Sequence, residues 1–396
     1  MPIISGTKAS TTLAANVVMS KAYFPRAKKW LYPLLSSSTI SVKSVEPYAV
    51  IGSVPALSGY TGSLKLANIA SYKMNVPNLL FKNAFGVKQS ELEFDQTRTI
   101  MKLSPAMGIR TAELPDQLFC KRLLNATTSG SQTVIFEGQS YTQTLDGVPL
   151  FSASHPTGYN GALQSNIIQG TLPSTKAALL AQDIATSAKQ MVSDFNSVLD
   201  VIKTVTDTAG VPLFPTIDTK ESVVVVVPPV LEPIAQLAFR TGGTAVIDQT
   251  TNIMPQFVKS VISHGYLAGF PDPESETGAT ISPTNATDWY VFITDDFVKP
   301  FYTQLFRPPN DSDLFPPGQS PEDVVSRVVN AVKGITVDQA TVFASTRIDT
   351  TFNKVGANSD AFTIQTETFL VSARMRGNMV YGPHFLSYKV KPNGGT

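Results

Sequence analysis

The sequence predicts an α+β fold with appendages that are too extended for a self-contained monomer. Residues 174–197 place apolar side chains at helical spacings of three and four. Residues 223–227 are five consecutive valines, which is typical of a buried strand. Residues 46–80 intersperse prolines and glycines with β-favouring segments, a pattern that indicates a long hairpin. Helices and strands in mixed order, beside a protruding hairpin, indicate layered helices and sheets.

The composition excludes several classes of protein. The chain has 396 residues, of which 42% are hydrophobic and only 15% are charged, against about 25% charged in a typical soluble domain. This low charge predicts that other subunits cover much of the surface. No run of about 18 apolar residues is present, so we expect no membrane span, and we expect no secretory signal. The single Cys120 excludes an internal disulfide framework.

Residues 1–45 are predicted to be an extended N-terminal arm. They are rich in Ser, Thr and Ala, and they contain six basic residues and no acidic one. The rest of the chain carries 25 basic and 30 acidic residues. A basic arm is suited to an acidic neighbouring surface or to non-specific contact with DNA. Its aromatic residues would anchor it, and we expect inter-subunit contacts at Phe24, Trp30 and Tyr32.

Residues 46–80 are predicted to form a loosely packed β-hairpin. A two-stranded hairpin cannot bury its own apolar side chains and is marginally stable alone. The hairpin is therefore expected to lie on another surface. We expect Tyr60, Leu64 and Lys65 to contact a neighbouring subunit.

Two helical segments precede the valine strand. Residues 94–125 have apolar residues at roughly helical spacing, and we expect a helix that is kinked or restarted at Pro105 and Pro115. Each proline removes a backbone donor and clashes with the preceding turn. Residues 174–197 are predicted to form one amphipathic helix with Ser174 as its N-cap.

The valine run is too short for a helix and too apolar for an exposed strand, so it predicts a central strand buried on both faces. A short helix is predicted to follow it over residues 230–240. Further strands are predicted over 79–92, 289–293, 297–306, 341–352, 362–376 and 379–390, with surface loops over 270–288 and 310–319 and a helix over 321–333.

No sequence motif specific to a catalytic or metal site is found, so we expect neither catalytic residues, nor a cofactor, nor a metal. The only histidines are His155, His264 and His384, and the last two are expected to be isolated packing or surface residues. Asp146 and His155 are conceivable as an acid–base pair that activates Ser152 or Ser154.

The structural interpretation of this segment is favoured over the catalytic one. Asp146 and Gly147 are typical of a tight turn. The apolar residues after that turn, Leu150 and Phe151, are expected to be buried. His155 then ends the segment in front of a proline.

Three blocks of sequence resemble the Mu-like family of tailed-phage major head subunits. The first comprises residues 85–103 and 114–124, and the third comprises residues 289–292 and 369–377. The most specific block is LDGVPLFSASHP at residues 145–156. The motif residues in that block are Asp146, Gly147, Phe151 and His155.

This resemblance implies the tailed-phage capsid fold of the Hong Kong 97 type and a structural protein that is not an enzyme. The chain would be a major capsid protein whose hexamers and pentamers form an icosahedral shell around packaged double-stranded DNA. The implied parts are an N-terminal arm at 1–45, an extended loop at 46–80, a peripheral domain with a spine helix at 81–219, an axial domain at 220–340, and return strands of the peripheral domain at 341–396.

The resemblance also implies partners and a location. A portal, a separate scaffold and decoration proteins would join the shell, with assembly in the host cytoplasm, final location in the virion, and no membrane. Some capsids of this fold weld a hairpin lysine to a neighbour's asparagine, which suggests Lys65 with Asn353 or Asn358. Three alternatives remain open: an encapsulin-like compartment shell, a tail-tube protein, and a hydrolase that uses Ser154, His155 and Asp146.

Overall fold

A computed structural model describes most of the chain. The described residues are 22, 26, 31–41, 43–51, 71–88, 99–128, 132–156, 161–207, 210–239, 245–247, 250–252, 258–275, 278–294, 299–306, 346–347 and 368–394. The predicted loop at 310–319 and the predicted helix at 321–333 lie outside these residues. Within the part that is described, no helix combines the length and apolar character needed to span a bilayer.

Helices and strands alternate along the chain. The helices are α1 (Tyr32–Leu35), α2 (Thr99–Leu124), α3 (Lys176–Leu180), α4 (Ile184–Thr204), α5 (Thr219–Ser222) and α6 (Glu232–Phe239), with 3-10 turns at Pro229–Leu231, Gly265–Ala268 and His384–Leu386. The strands are β1 (Ser36–Ser41), β2 (Val45–Ile51), β3 (Ser71–Pro77), β4 (Leu79–Lys88), β5 (Thr133–Phe136), β6 (Gln139–Thr142), β7 (Ile167–Pro173), β8 (Val223–Val227), β9 (Ala245–Ile247), β10 (Thr250–Asn252), β11 (Ser260–Ser263), β12 (Phe270–Pro271), β13 (Thr280–Ile281), β14 (Trp289–Ile293), β15 (Phe301–Phe306), β16 (Thr346–Arg347), β17 (Thr368–Tyr381) and β18 (Ser387–Asn393).

The valine strand β8 lies inside a five-stranded mixed sheet with the order β11-β8-β14-β18-β7. Its five side chains are all buried, as predicted. Val223, Val225 and Val227 pack in one core with helices α4 and α6. Val224 and Val226 face the opposite core, which contains the end of helix α2. Helices therefore cover both faces of this strand, which explains why it is apolar at every position.

The amphipathic segment at 174–197 forms two helices, so the prediction of one helix is wrong. Thr175, rather than Ser174, caps helix α3 by accepting a hydrogen bond from the Ala178 backbone N–H at 3.2 Å. Asp183 then caps α4, because its carboxylate accepts from the backbone N–H groups of Ala185 and Thr186. A good N-cap inside an apolar stripe starts a new helix without disturbing the spacing of the buried residues.

Helix α2 runs unbroken for 26 residues with both Pro105 and Pro115 inside it. The prediction of a restarted helix is therefore wrong. A proline inside a helix costs about 3 kcal/mol. Buried side chains on both sides of Pro115, among them Ala112 and Phe119, hold the helix in the core and offset this cost.

The second large sheet is built around the 14-residue strand β17. Its first part pairs with β4 and its last part pairs with β15, and the two partners change over at Gly377. A side chain at Gly377 would lie within 2.5 Å of the carbonyl oxygen of Gln304, so only glycine fits there. The predicted break between strands at 376 and 379 is therefore wrong, since one strand crosses this position.

Residues 31–41 belong to the folded body, which corrects the boundary of the arm predicted at 1–45. Strand β1 pairs in parallel with β15, from Ser36 opposite Phe301 to Ser41 opposite Phe306. Helix α1 buries Tyr32 and Leu35 completely. This segment fills part of the chain's own core.

The hairpin and one predicted loop are also defined. Strands β2 and β3 pair antiparallel from Val45 opposite Pro77 to Ile51 opposite Ser71, and the residues between them lie outside the description. The segment predicted as a surface loop at 270–288 contains the strand pair β12–β13. Phe270 and Ile281 of that pair are buried, so the prediction of a plain surface loop is wrong.

The predicted boundary between residues 219 and 220 does not separate two structural units. The first sheet takes β7 from one side of that boundary and β8, β11 and β14 from the other. Strand β18, from the C-terminal end of the chain, lies between β14 and β7. The amphipathic helix α4 packs on this sheet as well, so it belongs with the valine strand.

Candidate functional site

The motif loop, defined here as residues 145–156, begins with the predicted tight turn. Gly147 has a φ of +74°, a left-handed conformation that glycine adopts without strain. The side chain of Asp146 accepts a hydrogen bond from the backbone N–H of Val148 at 3.2 Å, which is an Asx-turn. The turn aims the other carboxylate oxygen of Asp146 inward, toward the end of the same loop.

Asp146 and His155 close the motif loop on itself. The Nδ1 atom of His155 lies 2.6 Å from Oδ2 of Asp146, and the imidazole is fully buried. The other ring nitrogen, Nε2, lies 3.1 Å from the carbonyl oxygen of Leu150. Both nitrogens therefore face oxygen acceptors, and the buried imidazole ties the two ends of the motif loop together.

His384 completes this cluster, so the prediction that it is isolated is wrong. Its ring stacks on that of His155 with centroids 3.9 Å apart and planes within 10° of parallel. Its Nδ1 atom lies 3.9 Å from Oδ2 of Asp146. Burial, followed by the charge of His155, lowers the pKa of His384 from 6.5 to about 3, although Asp146 opposes the shift. His384 is therefore neutral at pH 7.

The carboxylate of Asp146 is held in its charged form. Burial raises the pKa of Asp146, but the hydrogen bond with His155 and the electrostatic interactions with the two imidazole rings together outweigh burial. The pKa of Asp146 accordingly lies below its usual value. The hydrogen bond with His155 thus stabilises a negative carboxylate in a largely buried position.

The cluster has the residue types of a metal site but not the geometry of one. Ligand atoms of Asp146, His155 and His384 all lie within 4.8 Å of one another. An imidazole binds a metal along a lone pair in the plane of its ring. An ion shared by two stacked parallel rings would lie between the planes, and so outside both of them. Both histidines could ligate one ion only after one ring turned away from the stack.

The arrangement also argues against the hydrolase alternative. The hydroxyl groups of Ser152 and Ser154 lie 3.2 Å apart on the exposed side of the loop. A general base must accept a proton from its nucleophile through a free ring nitrogen. Both nitrogens of His155 are already engaged, by Asp146 and by the Leu150 carbonyl.

Ring packing and hydrogen bonds hold the motif loop against residues from the N-terminal and the C-terminal halves of the chain. Phe151 is buried, as predicted, and stacks on Tyr290 with ring centroids 5.4 Å apart. Asn166 accepts from the backbone N–H of Ser152 at 2.9 Å and donates to the Leu150 and Ser387 carbonyls at 2.6 and 3.0 Å. Nothing in the local sequence distinguishes Asn166, so its role could not be predicted from a motif.

Tyr32, predicted to contact a neighbour, lies instead in the subunit's own core with none of its surface exposed. The carboxylate of Asp116 accepts hydrogen bonds from the backbone N–H groups of Leu31 and Tyr32 at 3.0 and 3.2 Å. Arg26 forms an ion pair with Glu113, one turn earlier on helix α2. These contacts fix the segment before β1 on helix α2, so the Tyr32 prediction is corrected.

The remaining predicted contact residues, Phe24, Trp30, Tyr60, Leu64 and Lys65, lie outside the described residues, as do Asn353 and Asn358. The described surface nonetheless offers a groove of about 1060 Å³ between α2, β4, β5 and the β12–β13 segment, with both apolar and charged residues in its lining. Among its lining residues, Ile135 is 78% exposed and Leu80 is 42% exposed. Apolar side chains this exposed, grouped in one groove, are typical of an interface.

Comparison with known proteins distinguishes among these expectations. The model of the family described as Mu-like prophage major head subunit gpT matches residues 17–193. The predicted family resemblance is confirmed over this stretch. The match includes the whole motif loop, helix α2 and the first half of helix α4.

A curated relative agrees with the family match. The Mu-like prophage FluMu major head subunit of Haemophilus influenzae is 25% identical over 146 residues, which are 36% of this chain and 43% of the relative. The match therefore spans less than half of the length of that relative.

The fold is shown by a solved structure. The mature capsid of bacteriophage PhiM1 aligns over 92% of this chain and 88% of its own, with a TM-score of 0.50 and 9% sequence identity. A likeness so remote in sequence shows the fold alone. The prediction of an α+β tailed-phage capsid fold is confirmed.

Proposed function

We propose that this chain is a major capsid protein that assembles into the head shell of a Mu-like tailed phage. The observation that carries the proposal is the match of residues 17–193 to the head-subunit family. The capsid fold over most of the chain supports it. Its role is structural: copies form rings through heterologous contacts, and hexamers and pentamers of the chain close into an icosahedral shell.

The parts of the subunit take their proposed roles from the sheets. The first sheet, with α4 and α6, would form the axial domain at the centre of each ring. Helix α2 and the sheet around β17 would form the peripheral domain, with α2 as its spine helix. The hairpin β2–β3 would begin the extended loop, and the residues before 31 would form the arm.

The base of the hairpin is suited to this role. Tyr48 packs on Tyr302 with ring centroids 5.4 Å apart, and Val76 is buried against Val380. These contacts fix the hairpin base to the body, so that the body sets the direction in which the hairpin leaves. The residues of its tip, including Tyr60, Leu64 and Lys65, would then contact a neighbouring subunit.

The proposal extends to further partners. A portal, a separate scaffold and decoration proteins would join the shell in the host cytoplasm, and the completed virion would hold double-stranded DNA. The basic arm is suited to non-specific contact with DNA phosphates or with acidic surfaces of neighbours. An enclosed shell around cargo proteins is less well supported, since the family match is to phage head subunits.

The proposed function can be tested at Ile135, which lines this groove. Ile135 should be covered by a neighbour in the shell, where burial of apolar surface contributes about 25 cal/mol per Å². Ile135→Asp should leave a folded subunit that no longer forms closed shells, because a carboxylate would be buried at every copy of the contact. Ile135→Leu should assemble normally.

Electron microscopy and sedimentation velocity of the three proteins would separate the outcomes. Shells from the unchanged chain and from Ile135→Leu, with free subunits from Ile135→Asp, support the proposal. Normal shells from Ile135→Asp would show that this groove is not an assembly surface. Circular dichroism would check that Ile135→Asp is folded. If it is not folded, Ile135→Lys would be tested in its place.

A further inference from the structure

The segment before β1 passes around helix α2 as the chain is followed toward its N-terminus. Asp116 of α2 accepts hydrogen bonds from the backbone N–H groups of Leu31 and Tyr32. Arg26, which comes earlier in the chain, forms its ion pair with Glu113 at 3.0 Å. Three residues of an α-helix leave a rotation of about 60° after whole turns are subtracted, so these two contacts lie about 60° apart around α2.

The same path leads from Arg26 to the groove beside helix α2. Arg110 lies about another 60° around the helix in the same direction, and both Arg110 and Gln117 line the groove. Tyr266 stands at the border, where its hydroxyl donates to Glu113 at 2.8 Å and accepts from the side-chain amide of Gln117 at 3.1 Å. The chain that precedes Arg26 is therefore directed toward the rim of the groove.

The lining of the groove favours an occupant that is mainly apolar. Ile135 is 78% exposed and Leu80 is 42% exposed, and both gain from being covered. The acidic residues of the lining, Asp272 and Glu274, are already paired with Lys121 at 2.6 and 2.8 Å. The basic residues of the lining are exposed and can stay solvated, namely Lys82 and Arg110.

The sequence just before Arg26 supplies a segment of this kind. Residues 17–24 read VVMSKAYF, in which six of eight residues are apolar and only Lys21 is charged. Eight residues of extended chain span about 26 Å. The face of helix α2 from Arg110 to Gln117 is only about 10 Å long, so this segment is long enough to run along the groove while it remains joined to Arg26.

We propose that residues 17–24, called the cover segment below, bind in the groove of their own subunit before assembly. They would cover Ile135 until a neighbouring subunit takes their place, and exposed apolar surface would thereby be kept from aggregating. Phe24 would contact its own subunit first and a neighbour only after this exchange. The exchange rests on the proposed function, whereas binding of the cover segment concerns the free subunit and can be tested without shells.

The rate at which a maleimide labels a cysteine at position 135 measures whether the groove is covered. The full-length Ile135→Cys chain would be labelled at concentrations where sedimentation velocity shows monomers. A tethered segment acts at about 1 mM, so an intrinsic Kd of about 0.1 mM would slow labelling about tenfold. Adding Val18→Asp and Phe24→Asp should remove this protection, whereas Val18→Leu and Phe24→Leu should keep it. A cysteine at the exposed Leu163 should be labelled at one rate in all three arms.

A disulfide between positions 24 and 135 identifies the source of the occupant. Phe24→Cys with Ile135→Cys would be oxidised as a mixture of ¹⁵N-labelled and unlabelled chains, and the linked peptides analysed by mass spectrometry. Linked peptides with a single label state show binding within one subunit. Linked peptides that mix the two labels in the proportion of the chains would assign the groove to a second copy and overturn the inference.

Equal labelling rates in the aspartate and leucine arms would also overturn it, because the groove would then be open in the free subunit. Cys120 is buried, and its own slow labelling is measured in the unchanged chain and subtracted. If Ile135→Cys does not fold, Leu80→Cys on the opposite wall of the groove replaces it in both experiments. A chain that shows cover-segment binding but never forms shells would contradict the proposed function and leave this inference standing.

Discussion

At the scale of single residues, the core tolerates charge only where a partner is fixed in place. The ammonium of Lys389 lies 2.7 Å from Oδ2 of Asp288, and each side chain is only 3% exposed. Asp288 also accepts from the side-chain amide of Asn285 at 3.1 Å. The two charged residues are a hundred positions apart in sequence, so no local pattern predicts that they meet inside the first sheet.

Removing one member of this pair should lower the free energy of unfolding far more than replacing both members. Asp288→Ala leaves the Lys389 charge buried without a partner, and we expect unfolding free energy to fall by about 3–5 kcal/mol. The double variant Asp288→Leu with Lys389→Met should be within about 1 kcal/mol of the unchanged chain. Urea unfolding of the subunit measures both. A single variant that costs no more than the double one would show that the pair is solvated.

At the scale of elements, the spacing of apolar residues predicted which side chains of a helix or strand are buried. It did not predict where the helices begin and end. The stripe of helix α4 and the burial of β8 follow from spacing alone. The division between α3 and α4 depends on the capping carboxylate of Asp183, and the continuity of α2 through Pro115 depends on packing. Neither outcome can be predicted from the spacing of apolar residues, because each depends on how a local energetic cost compares with contacts made elsewhere in the chain.

The N-terminal segment gives a prediction at this scale. A chain that lacks residues 1–21 should fold, because β1 and helix α1 remain, but it should not form stable closed shells. A chain that lacks residues 1–41 should not fold, since it loses the strand beside β15 and the side chains of Tyr32 and Leu35 from the core. Circular dichroism and thermal unfolding distinguish the two. Cooperative unfolding of the shorter chain at the normal temperature would refute the assignment of residues 31–41 to the core.

At the scale of the whole molecule, the fold class was predictable and the grouping of the strands was not. The motif loop carried the family resemblance because its turn, its buried Phe151 and its His155 are all local in sequence. The sheet that joins β7, β8 and β18 brings together strands from three separate parts of the chain. Strand order depends on long-range pairing, so a linear division of the chain separates helix α4 from the sheet on which it packs.

The fold also explains why a subunit of this kind would need neighbours. The hairpin base is fixed to the body. In the groove beside helix α2, the apolar side chains of Ile135 and Leu80 are exposed. Low charge over the chain is consistent with surfaces that become covered. These features are contacts of the kind that rings and shells would require.

Negative-stain electron microscopy of the purified chain tests the central claim most directly. The chain would be examined across a range of salt and protein concentrations, alone and together with the other head proteins encoded beside it. We expect closed shells, or rings with five-fold and six-fold symmetry. A chain that remains monomeric under all of these conditions, or that stacks into tubes, would contradict the assignment as a major capsid protein.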